Sequence, residues 1–467
     1  MSSVWRLKDL VDVWPAPPWL LATTPEAQYS PFVLAGVLLS LIVVYLASKL
    51  GGELSKRLNL PPVLGELVGG VVVGVSALHL LMFPENTALA TDSIIMRVLQ
   101  GLGNLDADSV THIFQSQSEV ISVLAELGVI VLLFEIGLES DLRELSKVGY
   151  QAAIVAVVGV VAPFTLGTIG LMTLFQVPVI PAIFAGAALT ATSIGITSKV
   201  LSELGHLKST EGQIIVGAAV IDDVLGIIVL AVVASLAKTG EVDILNVVYL
   251  IISASAFLLG AILLGKFFNK SFVAIADKLQ TRGALLIPAF TFALVMAFLA
   301  NVIHLEAILG AFAAGLVLDE TDKRRELDQQ VMPIADILVP IFFVTVGAKA
   351  DLSVLNPIVA ENRAGLIIAT FLIAIAILGK VITGWAVFGQ PGVNRLAIGV
   401  GMIPRGEVGL VFAGIGSASG VLDKPLEAAM IVMVILTTFL APPLLQFALK
   451  RPKEAEGTPA ITLSAAE

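Results

Sequence analysis

Residues 217–233 read GAAVIDDVLGIIVLAVV, an apolar run that is interrupted only by the adjacent aspartates Asp222 and Asp223. The apolar segment around it, 212–236, is long enough to cross the ~30 Å hydrocarbon layer of a membrane as a helix, which takes about 20 residues. A charged side chain at the middle of a bilayer costs roughly 2.5–3.5 kcal/mol. The two carboxylates therefore need partners or a water-filled cavity.

The rest of the chain has the same apolar character. Its 467 residues are 57% hydrophobic and 14% charged, with a mean hydropathy of +0.97. An ordinary soluble domain is roughly 45–50% apolar and about 25% charged. The apolar residues fall in runs of about 20, unlike the ~10-residue alternating segments of a transmembrane β-barrel. We therefore predict an all-α polytopic membrane protein.

About thirteen transmembrane helices are predicted from these runs. They lie near 31–50, 62–80, 119–138, 149–176, 179–198, 212–236, 244–265, 283–303, 305–318, 338–349, 364–389, 394–418 and 426–449. A polar insert at 83–118 is predicted to carry a surface helix, and the charged stretch 323–336 is predicted to lengthen the tenth span. Residues 1–30 are expected to form an interfacial extension, 31–449 the transmembrane domain, and 450–467 a cytoplasmic tail.

The distribution of Lys and Arg predicts an orientation. Most of them lie in connections after odd-numbered spans or in the C-terminal tail. Because cytoplasmic loops carry the excess of Lys and Arg, the C-terminus is predicted to be cytoplasmic and the N-terminus outside. Without a targeting signal, we expect a multi-pass protein of the prokaryotic plasma membrane, with a cyanobacterial thylakoid membrane as the alternative.

Several functional classes are excluded by composition. The chain has no cysteine, so it has neither disulfides nor thiolate metal sites nor thiol catalysis. No basic patch is interleaved with aromatic residues, so a nucleic-acid partner is not expected. An intramembrane aspartyl protease needs two aspartates opposed across its substrate, and adjacent residues on one helix cannot provide that. We expect neither enzymatic activity nor a cofactor.

Two basic residues lie deep inside predicted spans. Of the 27 Lys and Arg residues these are Lys380 and Arg405. Neighbouring side chains on a helix point about 100° apart, so Asp222 and Asp223 cannot form one symmetric clamp. One aspartate can face Lys380 while the other lines a cavity that exchanges protons for a cation. A purely structural ion pair is the alternative for one aspartate, but a single lysine cannot neutralise both.

Two spans contain signals of interruption. The fifth, AGAALTATSIGITSKVL, contains Thr190, Thr192 and Ser193 between glycines. The twelfth, AIGVGMIPRGEVGLVFAGIG, contains Arg405 between a proline and a glycine. Interrupted helices in corresponding places of two halves indicate a transporter site near the midplane. The two spans are an odd number apart and run in opposite directions, which predicts an inverted repeat with two broken, crossing helices.

Glu407 follows Arg405 by two positions in the twelfth span. Residues two apart do not face each other on a helix. Each is therefore predicted to find a separate partner or to cap an end of a broken helix, in a supporting role.

These motifs together resemble a known family. They are NLPPVLGELVGGVVVG, LLFEIGLESDL, ATSIGITSKVLSELG, GAAVIDDVLGIIVLA, PIFFVTVGAKADL, AILGKVITG and GMIPRGEVGL. In this order and spacing they resemble the sodium/proton antiporters of the cation:proton antiporter-2 group, across residues 31–449. The resemblance implies exchange of Na⁺, or Li⁺, for H⁺ by alternating access in a homodimer. The adjacent aspartates with Lys380 resemble the electrogenic members.

The resemblance also implies roles for individual residues. Asp223 would bind the ion, Asp222 would pair with Lys380, and Thr192 would help to line a Na⁺ site formed with the two aspartates. Thr190, Ser193, Arg405 and Glu407 would support this site.

The resemblance further implies a division into two blocks. A mobile core at about 147–236 and 364–449 would move against a dimer scaffold at about 31–138 and 244–350. Glu135 and Glu306 depart from the family pattern, and each is either an additional proton relay or a residue of a loop-side cavity. The alternatives to sodium/proton exchange are a K⁺/H⁺ antiporter, a Na⁺-coupled organic-anion symporter and a channel.

Overall fold

The computed structural model describes residues 25–84, 89–239, 243–276, 278–358, 360–390 and 392–450. Within these ranges all regular structure is helical, so the predicted all-α class is confirmed. The predicted N-terminal extension is described only from Pro25, where the first helix begins. Its earlier residues and the predicted tail beyond Lys450 lie outside the described residues.

The α-helices follow one another along the chain. They are α1 (Pro25–Arg57), α2 (Pro62–Val73), α3 (Ile94–Gly103), α4 (Ala107–Glu139), α5 (Leu142–Lys147), α6 (Gly149–Leu174), α7 (Val179–Ala188), α8 (Ile194–Glu203), α9 (Thr210–Thr239), α10 (Ile244–Ala276), α11 (Leu286–Val302), α12 (Ala307–Asp319), α13 (Arg324–Ala348), α14 (Ala360–Val381), α15 (Arg395–Gly401), α16 (Glu407–Ala418) and α17 (Lys424–Lys450). Short 3₁₀ segments occupy Ala90–Asp92, Leu352–Leu355 and Ile382–Ala386.

Every predicted span overlaps at least one of these helices. Among the described residues, seven helices are long and apolar enough to cross a membrane by length and composition: α1, α4, α6, α9, α13, α14 and α17. The seventh span coincides with α10, which includes the apolar segment Ile244–Phe257, and the remaining spans coincide with shorter apolar helices. The tenth span begins at Arg324, which confirms that the charged stretch belongs to the helix.

Some predicted boundaries are wrong, including the end of the seventh span, which was expected at residue 265 although α10 continues to Ala276. The second span was expected to continue to residue 80, but α2 ends at Val73. The N–H groups of the next residues turn back onto its last carbonyls: Leu80 and Leu81 both donate to Val73 O at 2.9 Å. This tight turn satisfies the end of the helix, and His79 takes a left-handed conformation with φ 50° to close it.

The third span begins at Ala107 instead of residue 119. Polar side chains made the start of α4 look like part of a surface insert. Its buried face, which includes Ile113 and Phe114, packs with α3 in an apolar cluster. Burial of this face extends the helix through a polar sequence. The predicted surface helix in the insert is α3.

The chain forms two compact units. Of the described residues, the first comprises those up to Arg57 and those within Leu64–Val129 and Asp336–Ser353. Within it α1 and α2 pack very closely. A Cβ atom added to Gly51 would lie only 2.1 Å from the carbonyl oxygen of Gly65. Such contacts between small residues are typical of helix pairs in membranes.

The second unit comprises the described residues within Leu58–Val63 and Ile130–Ala335 and those from Val354 to Lys450. In it α14 packs along α17, and α6 packs along both α9 and α14. Its apolar core draws on α6, α7, α14, α16 and α17, with buried side chains such as Phe184, Leu372 and Phe412. This unit contains both broken helices.

The two predicted interruptions are confirmed. The fifth span is divided into α7 and α8 by the non-helical residues 189–193. The twelfth is divided into α15 and α16 by residues 402–406. Each break leaves helix-terminal carbonyl and N–H groups that have no partner in their own helix.

Candidate ion-binding site at the crossing of two broken helices

The two breaks satisfy each other's backbone groups. The Ser193 N–H donates to the Pro404 carbonyl at 2.8 Å. The hydroxyl of Thr192 donates to the Met402 carbonyl at 3.1 Å, and that of Thr197 donates to the Gly401 carbonyl at 2.9 Å. Non-helical backbone is tolerated at membrane depth only when its polar groups find partners within the protein. The crossing therefore supplies hydrogen-bond partners for backbone groups that each broken helix leaves unpaired.

Arg405 supplies the reciprocal contact. Its side chain has no exposed surface. Its Nη1 donates to the carbonyls of Thr190, at 3.1 Å, and of Ala191, both in the break that follows α7. The carbonyl end of a helix carries the negative end of its dipole, so a cation is stabilised there. This is the geometry expected of a residue that caps a broken helix. Among the described residues, its Nε and Nη2 have no hydrogen-bond partner.

Thr438 on α17 completes the second break. Its hydroxyl lies 2.6 Å from the Arg405 carbonyl and 2.8 Å from the Val434 carbonyl of its own helix, so its one hydrogen is directed to either acceptor. Sequence reasoning missed this residue. The signal that was available is the pair Thr437–Thr438, two hydroxyls in the middle of an otherwise apolar span.

Asp222 and Lys380 form a fully buried ion pair. Lys380 Nζ lies 3.2 Å from Asp222 Oδ2 and 3.4 Å from Oδ1, and both side chains have no exposed surface. Asp222 lies in the middle of α9, and Lys380 lies in the last turn of α14. Beyond this turn the chain continues as a 3₁₀ segment, where the Thr383 hydroxyl donates to the Lys380 carbonyl at 2.6 Å.

Asp223 is the next residue on α9, and 6% of it is exposed. It interacts electrostatically with Lys380, as does Arg405. Asp222, Asp223, Lys380 and Arg405 thus place two negative and two positive groups in one buried region of the second unit. Their mutual compensation explains how four charges are retained inside apolar spans.

The remaining predicted site residues lie at the two breaks. In the first break, Thr190 is buried, but its hydroxyl donates back to the Ala187 carbonyl of α7 at 2.8 Å. Ser193 precedes the first residue of α8 and is half-buried. Glu407 begins α16, and its side chain lies outside the described part of the chain.

The chemistry of this region suits a small hard cation. Carboxylate, hydroxyl and carbonyl oxygens are the ligands that hard cations prefer. The Thr192 hydroxyl uses its hydrogen on Met402, so its oxygen lone pairs can still face a cation. Within the described residues no group of three His, Cys, Asp or Glu side chains could hold a metal ion. A site here would therefore combine carboxylate, hydroxyl and backbone oxygens.

Comparison with known proteins gives the family. A family model described as "Sodium/hydrogen exchanger, transmembrane" matches residues 35–451. The chain belongs to this family. The resemblance inferred from the motifs is confirmed, and the exchanger is a multi-pass membrane protein of a transporter family.

The exchanger has curated relatives of similar length. It is 61% identical to the high-affinity Na⁺/H⁺ antiporter NhaS3 of Synechocystis sp. over 449 residues, which cover 96% of each chain. It is 32% identical to the Na⁺/H⁺-K⁺ antiporter GerN of Bacillus cereus, over 87% of this chain and 94% of that one.

A solved structure shares the fold. The sodium/proton antiporter MjNhaP1 of Methanocaldococcus jannaschii aligns with a TM-score of 0.58 at 18% identity. The alignment covers 90% of this exchanger and 99% of MjNhaP1. At this identity the likeness shows a common architecture.

Proposed function

We propose that the chain is a sodium/proton antiporter that works by alternating access and is electrogenic. The observation that carries the proposal is the buried Asp222–Lys380 pair beside a second buried carboxylate, at the crossing of two broken helices. Membership of the sodium/hydrogen exchanger family supports it. The relatives NhaS3 and GerN are named as a Na⁺/H⁺ antiporter and a Na⁺/H⁺-K⁺ antiporter.

In this proposal the sodium ion is held by oxygens of Asp223, Asp222 and Thr192. Lys380 has to leave Asp222 when the ion arrives, because the ammonium and the sodium ion compete for the same carboxylate. Thr190, Ser193, Arg405 and Glu407 support the site by maintaining the two breaks.

The charges predict the stoichiometry. With both aspartates ionised and Lys380 protonated, these three groups carry a net charge of −1. If Lys380 releases its proton as sodium binds, the loaded site still carries −1. On the return, one proton on Asp223 and one on Lys380 leave the site neutral. Two protons therefore move against one sodium ion, and one net charge crosses the membrane in each cycle.

The proposed moving part is a core at about 147–236 and 364–449, which contains both breaks. It moves against a scaffold at about 31–138 and 244–350. Two hydrogen bonds join these blocks within the second compact unit. The Val63 N–H donates to Glu203 Oε2 at 3.2 Å, and Gln446 Nε2 donates to the Asn59 carbonyl at 2.7 Å. Both have to open when the core moves.

The setting proposed is a prokaryotic plasma membrane, with the N-terminus outside and the C-terminus in the cytoplasm. A thylakoid membrane is the alternative. The excess of Lys and Arg in the connections after odd-numbered spans supports the orientation. The family resemblance supports a homodimer in which the scaffold forms the contact.

The test is sodium-driven proton movement in proteoliposomes that contain the wild type or Asp223→Asn. The wild type should acidify or alkalinise the lumen as the sodium gradient dictates, and the variant should be inactive but folded, because Asp223→Asn leaves the Asp222–Lys380 ion pair in place. Matched potassium gradients test the K⁺/H⁺ alternative. Normal sodium-driven flux in Asp223→Asn would overturn the ion-site assignment.

A further inference from the structure

The α6 helix passes Lys380 at a glycine. A Cβ atom added to Gly159 would lie 3.1 Å from Lys380 Nζ and 3.4 Å from Cγ2 of Thr383. Gly159 is buried, and Lys380 has no exposed surface, so neither can move into solvent. A methyl group at this position would therefore press directly on the ammonium that pairs with Asp222.

A second glycine sets the separation of the same two helices. A Cβ atom added to Gly379, the residue before Lys380, would lie 3.0 Å from the Cα of Pro163 on α6. Pro163 is one turn beyond Gly159. The two glycines, one on each helix, thus allow α6 and α14 to approach closely at the level of the ammonium.

The Lys380 ammonium lies at the long end of hydrogen-bonding distance from Asp222. Hydrogen bonds between an ammonium and a carboxylate usually measure about 2.7–2.9 Å. Lys380 Nζ lies 3.2 and 3.4 Å from the two Asp222 oxygens. The ammonium is therefore in contact both with Asp222 and with the backbone of α6 at Gly159.

We propose that Gly159 is a positioning residue for the exchange reaction. The missing side chain leaves room for the Lys380 ammonium beside Asp222 and for its movement when sodium arrives, and Gly379 lets α14 lie close to α6 at this level. The inference rests on the proposed function, because it needs the Asp222–Lys380 pair to open during each cycle.

The first test compares two glycine-to-alanine variants. Gly159→Ala should raise the KM for sodium about tenfold, with Vmax per folded protein close to that of the wild type, because filling a packed site disfavours the displaced lysine. Gly226→Ala is the matched control. Gly226 is a buried glycine one turn after Asp222, where an added Cβ would meet only the Cβ of Ala191, at 3.8 Å. The KM of Gly226→Ala for sodium should equal that of the wild type.

A double-mutant cycle separates positioning from general packing. In a Lys380→Ala background the ammonium is gone, so Gly159→Ala should cause no further loss of sodium affinity. The readout is the rise in unfolding temperature produced by sodium, which needs no turnover. An equal loss in both backgrounds, or an unchanged KM in Gly159→Ala alone, would overturn the inference while the proposed function stands. A wild type without sodium-driven proton flux would overturn both.

Discussion

Lys380 is the residue on which the proposed voltage dependence rests. Replacing it by glutamine removes one of the two protons carried per cycle, so any remaining exchange should be electroneutral. Each elementary charge is worth about 2.3 kcal/mol per 100 mV, so the wild type should respond strongly to a membrane potential. The measurement is sodium-driven flux in liposomes held at a series of potassium diffusion potentials. Voltage-insensitive flux in the wild type would contradict the role given to Lys380.

The same variant should also be less stable. Removing one partner of a buried ion pair leaves the other uncompensated, which costs roughly 3–5 kcal/mol. Lys380→Gln should therefore unfold at a lower temperature than Asp223→Asn in the same detergent.

Thr192 and Thr197 offer a matched pair of substitutions. Both hydroxyls are buried and donate to carbonyls at the end of α15, but only Thr192 is proposed to contact sodium. Each change to valine leaves a buried acceptor without its donor, so each should destabilise the protein by about 1–3 kcal/mol. Only Thr192→Val should raise the KM for sodium, by about tenfold. Equal KM values in the two variants would remove Thr192 from the ion site.

Among individual residues, the sequence indicates buried charges more clearly than it indicates where a small residue leaves room for another side chain. Asp222, Asp223 and Lys380 are conspicuous because a buried charge is costly and needs a partner. Gly159 carries no such signal, since its contribution is the absence of a side chain near an atom 221 positions away, at Lys380. Thr438 is similarly inconspicuous, because its hydroxyl also contacts the Val434 carbonyl of its own helix, as threonines on membrane helices usually do.

Among the elements, the break between α15 and α16 depends on its neighbour α17. Thr438→Val removes the donor to the Arg405 carbonyl and should lower the free energy of unfolding by about 1–3 kcal/mol. Thr437→Val is the control, because Thr437 donates only to carbonyls of its own helix, at 2.7 and 3.1 Å. Thermal unfolding of both variants in detergent measures the difference. Equal destabilisation would mean that the contact between α17 and the break contributes nothing.

The breaks could be predicted, but their partners could not. Pro404, Gly406 and the hydroxyl-rich stretch around Thr192 indicate where helical backbone is interrupted. Which carbonyl meets which donor depends on how the two breaks cross, and no local pattern records this. The predicted helix boundaries were wrong for a related reason. The α4 helix extends into polar sequence because Ile113 and Phe114 are buried by tertiary packing.

For the whole molecule, the proposed movement of the core can be blocked chemically. The chain has no cysteine, so cysteine pairs can be introduced without further changes. A reducible cross-link between positions 59 and 446 joins the two proposed blocks and should stop transport until it is reduced. A cross-link between positions 151 and 388 lies within the core, where Gln151 Nε2 donates to the Phe388 carbonyl at 3.4 Å, and should have little effect. Full activity with the first cross-link closed would contradict the moving core.

The mutual dependence of the two breaks also has a consequence for biosynthesis. Thr192 and Met402, which the crossing brings together, are 210 positions apart in the chain. At a synthesis rate of about 5–20 residues per second, the ribosome makes the second break roughly 10–40 s after the first. During that interval the carbonyls of Thr190 and Ala191 lack the arginine that will cap them. The first broken helix therefore enters the membrane before its hydrogen-bonding partners exist, and its final structure forms only after the last third of the chain has been inserted.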